Sequence, residues 1–168
     1  MRLTSFTDYS LRVLIYLASG PAQGPGGPRE RATIAEIARA FDISEHHLTK
    51  VVHFLGKEGL LANVRGKGGG LELARAPRDV NLGDVVRRTE GRPLPAECFD
   101  ADHDQCTITR ICRLRGVLGE AVAAFQAVLD RYTLEDLVAN RPQLARVMFS
   151  ATPPARGAAR GARAGRAG

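Results

Sequence analysis

Seven apolar residues between positions 111 and 132 constrain this chain more than anything else in it. Ile111, Leu114, Leu118, Ala121, Phe125, Val128 and Tyr132 follow one another at intervals of 3, 4, 3, 4, 3 and 4. That alternation is the a/d seam of a heptad repeat, and a helix bearing such a seam needs a partner helix. The spacing predicts a long dimerisation helix over 108–132, with a dimer interface along its seam. The approach to this helix holds all three cysteines of the chain, Cys98, Cys106 and Cys112, within 15 residues. One segment thus places a group of thiols beside a dimer interface.

The 168 residues suffice for one domain with a modest core and an appendage. No apolar run approaches the ~18 residues of a transmembrane helix, so no membrane partner is expected. The start, MRLTSFTDYSLRVLIYLA, lacks the long apolar core and small-residue cleavage site of a signal peptide. A cytoplasmic protein is expected. Thiols stay reduced there, so three cysteines point to a metal, or to nothing, before they point to disulfides. Net charge is +6, but Arg156, Arg160, Arg163 and Arg166 supply +4 of it from the last 18 residues, which hold no acid, and the body keeps only +2. Basicity alone is therefore weak support for nucleic-acid binding. The tail 151–168 is low in complexity and cannot bury a core, which predicts disorder. Two readings of it stay open: added nonspecific attraction to phosphate, or a solvated tail without a partner.

Ahead of the cysteines the pattern is that of a compact head. Phe6, Tyr9, Val13, Leu14 and Leu17 give a first helix, 4–18, one apolar face. Asp8 and Arg12 sit four apart on another face and can pair, and Asp8 in a first turn also suits the helix dipole. A Gly/Pro loop, GPAQGPGGPRER, follows at 20–31. Thr33 and Glu36 form a capping-box signal for a short helix to about Ala40, with Ile34, Ile37 and Ala38 inward. After a turn at 41–43, Ser44 caps a second helix, 45–57, with Leu48, Val51, Val52 and Leu55 inward and Gly59 at its end. Two short helices joined by a tight turn make a helix-turn-helix. Leu60–Arg65 and Leu71–Ala74 read as strands around a glycine-rich turn at 66–70, a hairpin or wing. Asn81 caps a further helix, 82–90, with Leu82, Val85 and Val86 inward, and Gly91–Pro95 breaks the chain.

The outward face of the second helix carries Glu45, His46, Thr49, Lys50, His53 and Lys57. Its N-terminal half, from Ser44 through Glu45, His46, His47 and Thr49, would meet base edges in a major groove, and Lys50 and Lys57 would meet phosphates. A solvated helix face has the same composition, but the adjoining wing favours DNA. Arg65 and Lys67 stand at its tip among Gly66, Gly68 and Gly69, which let backbone approach a phosphate or a minor groove. A phosphate-binding loop is excluded, since no GxxxxGK[ST] pattern is present. The partner expected is double-stranded DNA.

Seven residues separate Cys98 from Cys106 and five separate Cys106 from Cys112, with Asp100, Asp102, His103 and Asp104 in the first gap. Cys112 is expected in the first turns of the long helix, near its positive end, where thiolates are favoured. This is not the CxxC spacing of a zinc ribbon, and taken alone it leaves three unrelated thiols as an open reading. However, the opening MRLTSFTDYSLRVLIYLA, the segment TIAEIARAFDISEHHLTKVVHFLGKEG, the wing RGKGGGLELA and the cysteines before CRLRGVLGEAVAAF together resemble the NsrR family. Those are nitric-oxide-sensing repressors among the iron–sulfur winged-helix regulators that also include the IscR type. The resemblance covers roughly residues 1–140, with head, wing, cysteines and dimer helix in order.

The resemblance implies a repressor of a palindromic operator and a homodimer with one iron–sulfur cluster per subunit, [4Fe–4S] in the first place and [2Fe–2S] as the alternative. Cys98, Cys106 and Cys112 would be ligands. The fourth ligand in this family can be an aspartate near the N-terminus of the other subunit, and Asp8 stands at the matching position. IscR-type relatives have a His three residues after the last cysteine, where this chain has Arg115. The seven-residue first gap is longer than the family's usual spacing and lets His103 compete with Asp8 as fourth ligand. Nitric oxide is the implied signal.

The expectation is a mainly α fold with a small β-hairpin wing. It comprises a winged helix-turn-helix DNA-binding domain at 1–91, a cluster-binding loop at 92–107, the dimerisation helix at 108–132, a C-terminal helix at 133–150 and the tail at 151–168. Three alternatives remain. One is a winged-helix regulator stabilised by zinc on the three cysteines and His103. Another is a cluster-supply or redox-sensing regulator of the IscR type. The third is an iron–sulfur electron carrier or scaffold that docks a protein, which would show no salt-dependent DNA binding. No enzyme is expected, because no Ser/His/Asp or Cys/His catalytic constellation stands out.

Overall fold

A computed structural model of the protein describes residues 3–20, 31–66, 68–91, 95–100, 102 and 104–149. The first helix, α1 (Ser5–Ser19), starts where the Thr4 hydroxyl accepts from the Thr7 amide, and it buries Val13, Leu14 and Leu17. It runs through the core of the head. Most of the Gly/Pro loop after it lies outside the described residues. Helix α2 (Ile34–Phe41) opens on the capping box expected of Thr33 and Glu36 and stops at Asp42, whose φ of 55° is left-handed.

Helix α3 (Glu45–Lys57) has the bounds read from the sequence, but the Ser44 side chain makes no capping hydrogen bond. Packing holds the helix instead: Leu48, Val51, Val52 and Leu55 are each no more than 8% exposed. At roughly 1.5–3 kcal/mol for each fully buried aliphatic side chain, that burial exceeds the ~1 kcal/mol a cap provides. Strands β1 (Leu61–Val64) and β2 (Gly70–Leu73) pair antiparallel, with Leu61 opposite Leu73 and Val64 opposite Gly70. Ala32 adds a short bridge to Leu71, exchanging both backbone hydrogen bonds at 3.2 and 2.7 Å.

Asn81 caps α4 (Leu82–Glu90), accepting from the Asp84 amide, and Val85 and Val86 are buried. A 3₁₀ turn, Glu97–Phe99, precedes α5 (Arg113–Leu129). The dimerisation helix expected over 108–132 is thus shorter, and Ile111 and Tyr132, the ends of the heptad seam, lie outside it. Competing side-chain bonds delay its start: Asp104 accepts from the Cys106 amide and the Thr109 hydroxyl, holding 104–109 in a turn. Cys112 is consequently the N-cap residue of α5 rather than part of its first turns.

The C-terminal helix expected over 133–150 is two helices, α6 (Leu134–Leu137) and α7 (Arg141–Phe149). Pro142 is the reason. It lacks an N–H and fits only a first turn, so a helix must begin just before it. Leu134 and Val138 are buried, and Leu144, Met148 and Phe149 pack against the same core. Residues 151–168 lie outside the described residues. No helix among the described residues is long and apolar enough to cross a membrane.

Candidate functional site

The outward face of α3 stands clear of the head. Glu45, His46, His47, Thr49, Lys50, His53 and Lys57 are all exposed, as is Ser44 ahead of them. Three of these side chains already have partners within the protein, His46 among them through a ring contact with His47. The Thr49 hydroxyl donates to the Glu45 carbonyl at 2.8 Å. The His47 ring stacks on Tyr9 of α1, with centroids 6.3 Å apart and planes 21° apart. Farther along, Phe6 of α1 meets Phe54 of α3 edge-on at 5.2 Å. Helix α1 therefore touches α3 near both its ends, through residues on either side of Asp8.

The wing tip is held by sterics and by a brace. A Cβ on Gly69 would collide with the Val64 carbonyl, so glycine there is required by the turn itself. Gly68 is exposed, with φ of 78° and open space around it, and Arg65 is exposed beside it. Lys67 lies outside the described residues. Arg31 donates from Nε to Glu72 at 2.8 Å and from Nη1 to the Gly68 carbonyl at 3.3 Å, fixing the tip to the strand-like end of the preceding loop. Nothing local in the sequence marks Arg31, because its partners are 37 and 41 residues away.

The three thiols occupy the excursion between α4 and α5. Cys98 and Cys112 are half-buried, Cys106 is exposed, and none is in a disulfide. Phe99, next to Cys98, lies under the Arg115 guanidinium at 5.7 Å and faces Gly119, so the Cys98 turn leans on the α5 end that Cys112 caps. Among the described residues no three of His, Cys, Asp and Glu are gathered closely enough to hold a metal ion. His103 lies outside them. The donor set nevertheless fits a metal–sulfur group: three reduced thiols, none fully buried, all on one loop.

Asp8 is paired with Arg12 at 2.8 Å, with 44% of its side chain exposed. An exposed i,i+4 pair contributes about 0.3–0.5 kcal/mol, so Asp8 can exchange Arg12 for another partner at small cost.

Two contacts that the sequence did not mark tie the cysteine segment to the head. At its near end, Glu90 accepts from the amide and the hydroxyl of Thr4 at 2.6 and 3.0 Å, clasping the start of α1 to the end of α4. Burial alone would raise the Glu90 carboxyl, but hydrogen bonds from Thr7 and Thr4 prevail and hold it below its ordinary value. At the far end, Arg87 of α4 donates to Asp84 and Asp130, each at 2.6 Å, and to Gln126 at 3.3 Å. These carboxylates hold the guanidinium above its ordinary pKa. Asp130 fits only because position 83 is glycine, since a Cβ there would strike its carboxylate. Asn81 donates to the Asp130 carbonyl at 2.8 Å and Leu82 to that of Tyr132 at 2.9 Å. The exit of α5 is therefore fixed to the head.

Comparison with known proteins gives this geometry a setting. Residues 3–140 match the family "Rrf2: Iron-dependent Transcriptional regulator". The chain is 47% identical over 148 residues to the "HTH-type transcriptional regulator NsrR" of Bacillus subtilis, covering 88% of this chain and 97% of the relative. It is 46% identical over 144 residues to the protein of the same name from Geobacillus kaustophilus, covering 86% and 94%. Among solved structures, CymR (YrzC), the global cysteine regulator of B. subtilis, superposes with a TM-score of 0.60 at 30% identity, covering 83% of this chain and 98% of that one. IscR of T. potens superposes with a TM-score of 0.62 at 26% identity, covering 86% and 90%. The named relatives are transcriptional regulators, not enzymes, and the winged fold is theirs. The chain belongs to the Rrf2 family of iron-dependent transcriptional regulators.

Proposed function

We infer that this regulator is a cytoplasmic repressor whose grip on a palindromic DNA operator is controlled by an iron–sulfur cluster that senses nitric oxide. One observation carries the reading: three free thiols share the loop that leads into an exposed apolar helix, in a chain 47% identical to a protein named NsrR. Cys98, Cys106 and Cys112 would hold the cluster, [4Fe–4S] in our reading, with Asp8 of the partner subunit as fourth ligand. Bound there, such a cluster supplies iron that reacts with nitric oxide.

The protein's own residues do the rest. Leu114, Val117 and Val128 of α5 stay 61%, 60% and 44% exposed in one subunit, and a second copy would cover them. Asp8, paired with Arg12 in an exposed ion pair, is the donor most readily exchanged. Any shift of α1 reaches α3 through Tyr9 on His47 and Phe6 on Phe54. Two α3 helices in successive major grooves must sit about 34 Å apart, so a small tilt of each head is enough to lose the fit. A 100-fold loss of operator affinity corresponds to about 2.7 kcal/mol of coupling, within the usual allosteric range.

The test is anaerobic purification followed by a visible spectrum and metal analysis. The expected protein is brown and contains iron, and Cys98→Ala, Cys106→Ala and Cys112→Ala each bleach it. Colourless, zinc-loaded protein, or three variants with unchanged spectra, would defeat the assignment. Asp8→Ala should keep a chromophore but weaken its link to DNA binding. If His103→Ala does this and Asp8→Ala does not, the fourth ligand is His103.

A further inference from the structure

We propose that Arg31 is a positioning residue for DNA binding: its guanidinium masks Glu72 and ties down Gly68, so that the wing offers Arg65 to phosphate with no bare acid behind it. Glu72 is the one acid between Leu60 and Ala76. It stands on β2, two residues past Gly70 and on the opposite limb of the wing from Arg65. Left bare, its carboxylate would repel the same phosphates that Arg65 attracts. Arg31 Nε meets that carboxylate at 2.8 Å, while Nη1 donates to the Gly68 carbonyl at 3.3 Å. One planar fork thus answers the charge on the strand and holds the backbone of the tip.

The backbone beside Arg31 is held independently of the fork. Ala32 and Leu71 exchange both their hydrogen bonds, and Ala32 is buried. A Cβ on Gly70 would come within 3.0 Å of both the Ala32 carbonyl oxygen and the Arg31 Cβ, so glycine at 70 lets residues 31 and 32 lie against β2. Arg31 therefore reaches the wing with its main chain already ordered, which lowers the entropy that most surface pairs lose. Its side chain and that of Glu72 are 36% and 37% exposed. An exposed pair adds little to folding stability, so the effect of this one falls on what the wing meets from outside. Arg65 is exposed beside the same turn. The inference rests on the wing as a DNA contact and not on the cluster.

The test titrates full-length variants from low to moderate salt on two duplexes, one selected by this protein from a random pool and one shuffled to the same composition. Arg31→Ala should melt with wild type yet bind both duplexes about 3- to 5-fold more weakly, the scale of one exposed charge interaction. Its log–log salt slope should fall toward that of Arg65→Ala, about 0.9 below wild type. Adding Glu72→Gln to Arg31→Ala should recover part of the affinity. In an Arg65→Ala background Arg31→Ala should lower the slope no further. Unchanged affinity of Arg31→Ala beside a weakened Arg65→Ala would overturn the proposal and leave the wing as a DNA contact. Unchanged affinity of both would remove the wing and the proposal together. A further fall of about 0.9 in the Arg65→Ala background would make Arg31 a phosphate contact in its own right. That result, or no recovery with Glu72→Gln, would refute the positioning role.

Discussion

The head and the cysteine-bearing segment after it bury their apolar residues in opposite ways. The inward face of α3 is at most 8% exposed, and Val13, Leu14 and Leu17 of α1 lie beneath it. From Arg87 to Thr133, by contrast, no described residue is buried, and Ile111 is 83% exposed. Both regions carry regular apolar patterns. The pattern in the head is answered by other elements of the same chain. Helix α5 is tied to the head at its C-terminal end, through Arg87, Asp130 and Asn81, while its apolar face stays open. A region that completes its own core holds its shape alone. A region that leaves a heptad face open takes its shape from what covers it, and that makes it suited to carry a signal.

The largest difference should appear on truncating one apolar residue in each region. Leu48→Ala, in the core, should lower the unfolding free energy by about 2–5 kcal/mol. Leu114→Ala, on the open face, should change the stability of the subunit by no more than about 0.5 kcal/mol while shifting the sedimentation equilibrium toward monomer. Equal losses of stability in the two variants would break the comparison.

The joint between the regions comes next. Gly83→Ala forces Asp130 away from Arg87 and should cost about 1–3 kcal/mol, as overpacking does. Chemical denaturation checks the magnitude. An undiminished midpoint would mean that α5 is not anchored to the head at this point.

Lys50→Ala on α3 and Arg65→Ala on the wing should each weaken binding to every duplex and lower the salt slope by about 0.9, whereas changes at His46 or Thr49 should relax base preference. Titrations on matched and shuffled duplexes separate the two behaviours. No response at any of the four would remove this face as the DNA contact.

The smallest effect is pH-dependent. The Glu90 carboxyl lies below its ordinary value of 4.5 in the folded protein, so its contribution is complete above that value and is lost as pH falls through the depressed one. Melting temperatures followed from neutral into acid should fall more for wild type than for Glu90→Gln. Parallel curves would mean that the clasp on Thr4 adds nothing.

Much of the head was legible in the sequence because its signals are local. The Thr33–Glu36 box, the inward face of α3 and the Asn81 cap each lie within one element, and each appears as read. The start of α5 is not legible, because its heptad pattern continues through Ile111, while the bonds of Asp104 hold 104–109 in a turn and Ile111 bonds back to Ile108. Periodicity shows which residues would share a face, not whether a nearby carboxylate takes the backbone first. Ser44 misled in the reverse direction, a capping residue whose helix is held by packing. Of the candidate site, the residue types were visible, but Arg31, Arg87, Glu90 and the stack of His47 on Tyr9 were not. The partners that tie them across the fold are tens of residues away, and no short-range pattern announces those contacts.

The central claim is that the open region controls the closed one. The most direct measurement is operator affinity of anaerobically purified protein, taken with its visible spectrum and iron content before and after nitric oxide. The predicted result is coloured, iron-bearing protein whose affinity falls on the order of 100-fold as the colour is bleached, about 2.7 kcal/mol of coupling. Colourless, iron-free protein that binds the same duplex equally tightly with and without nitric oxide would contradict it.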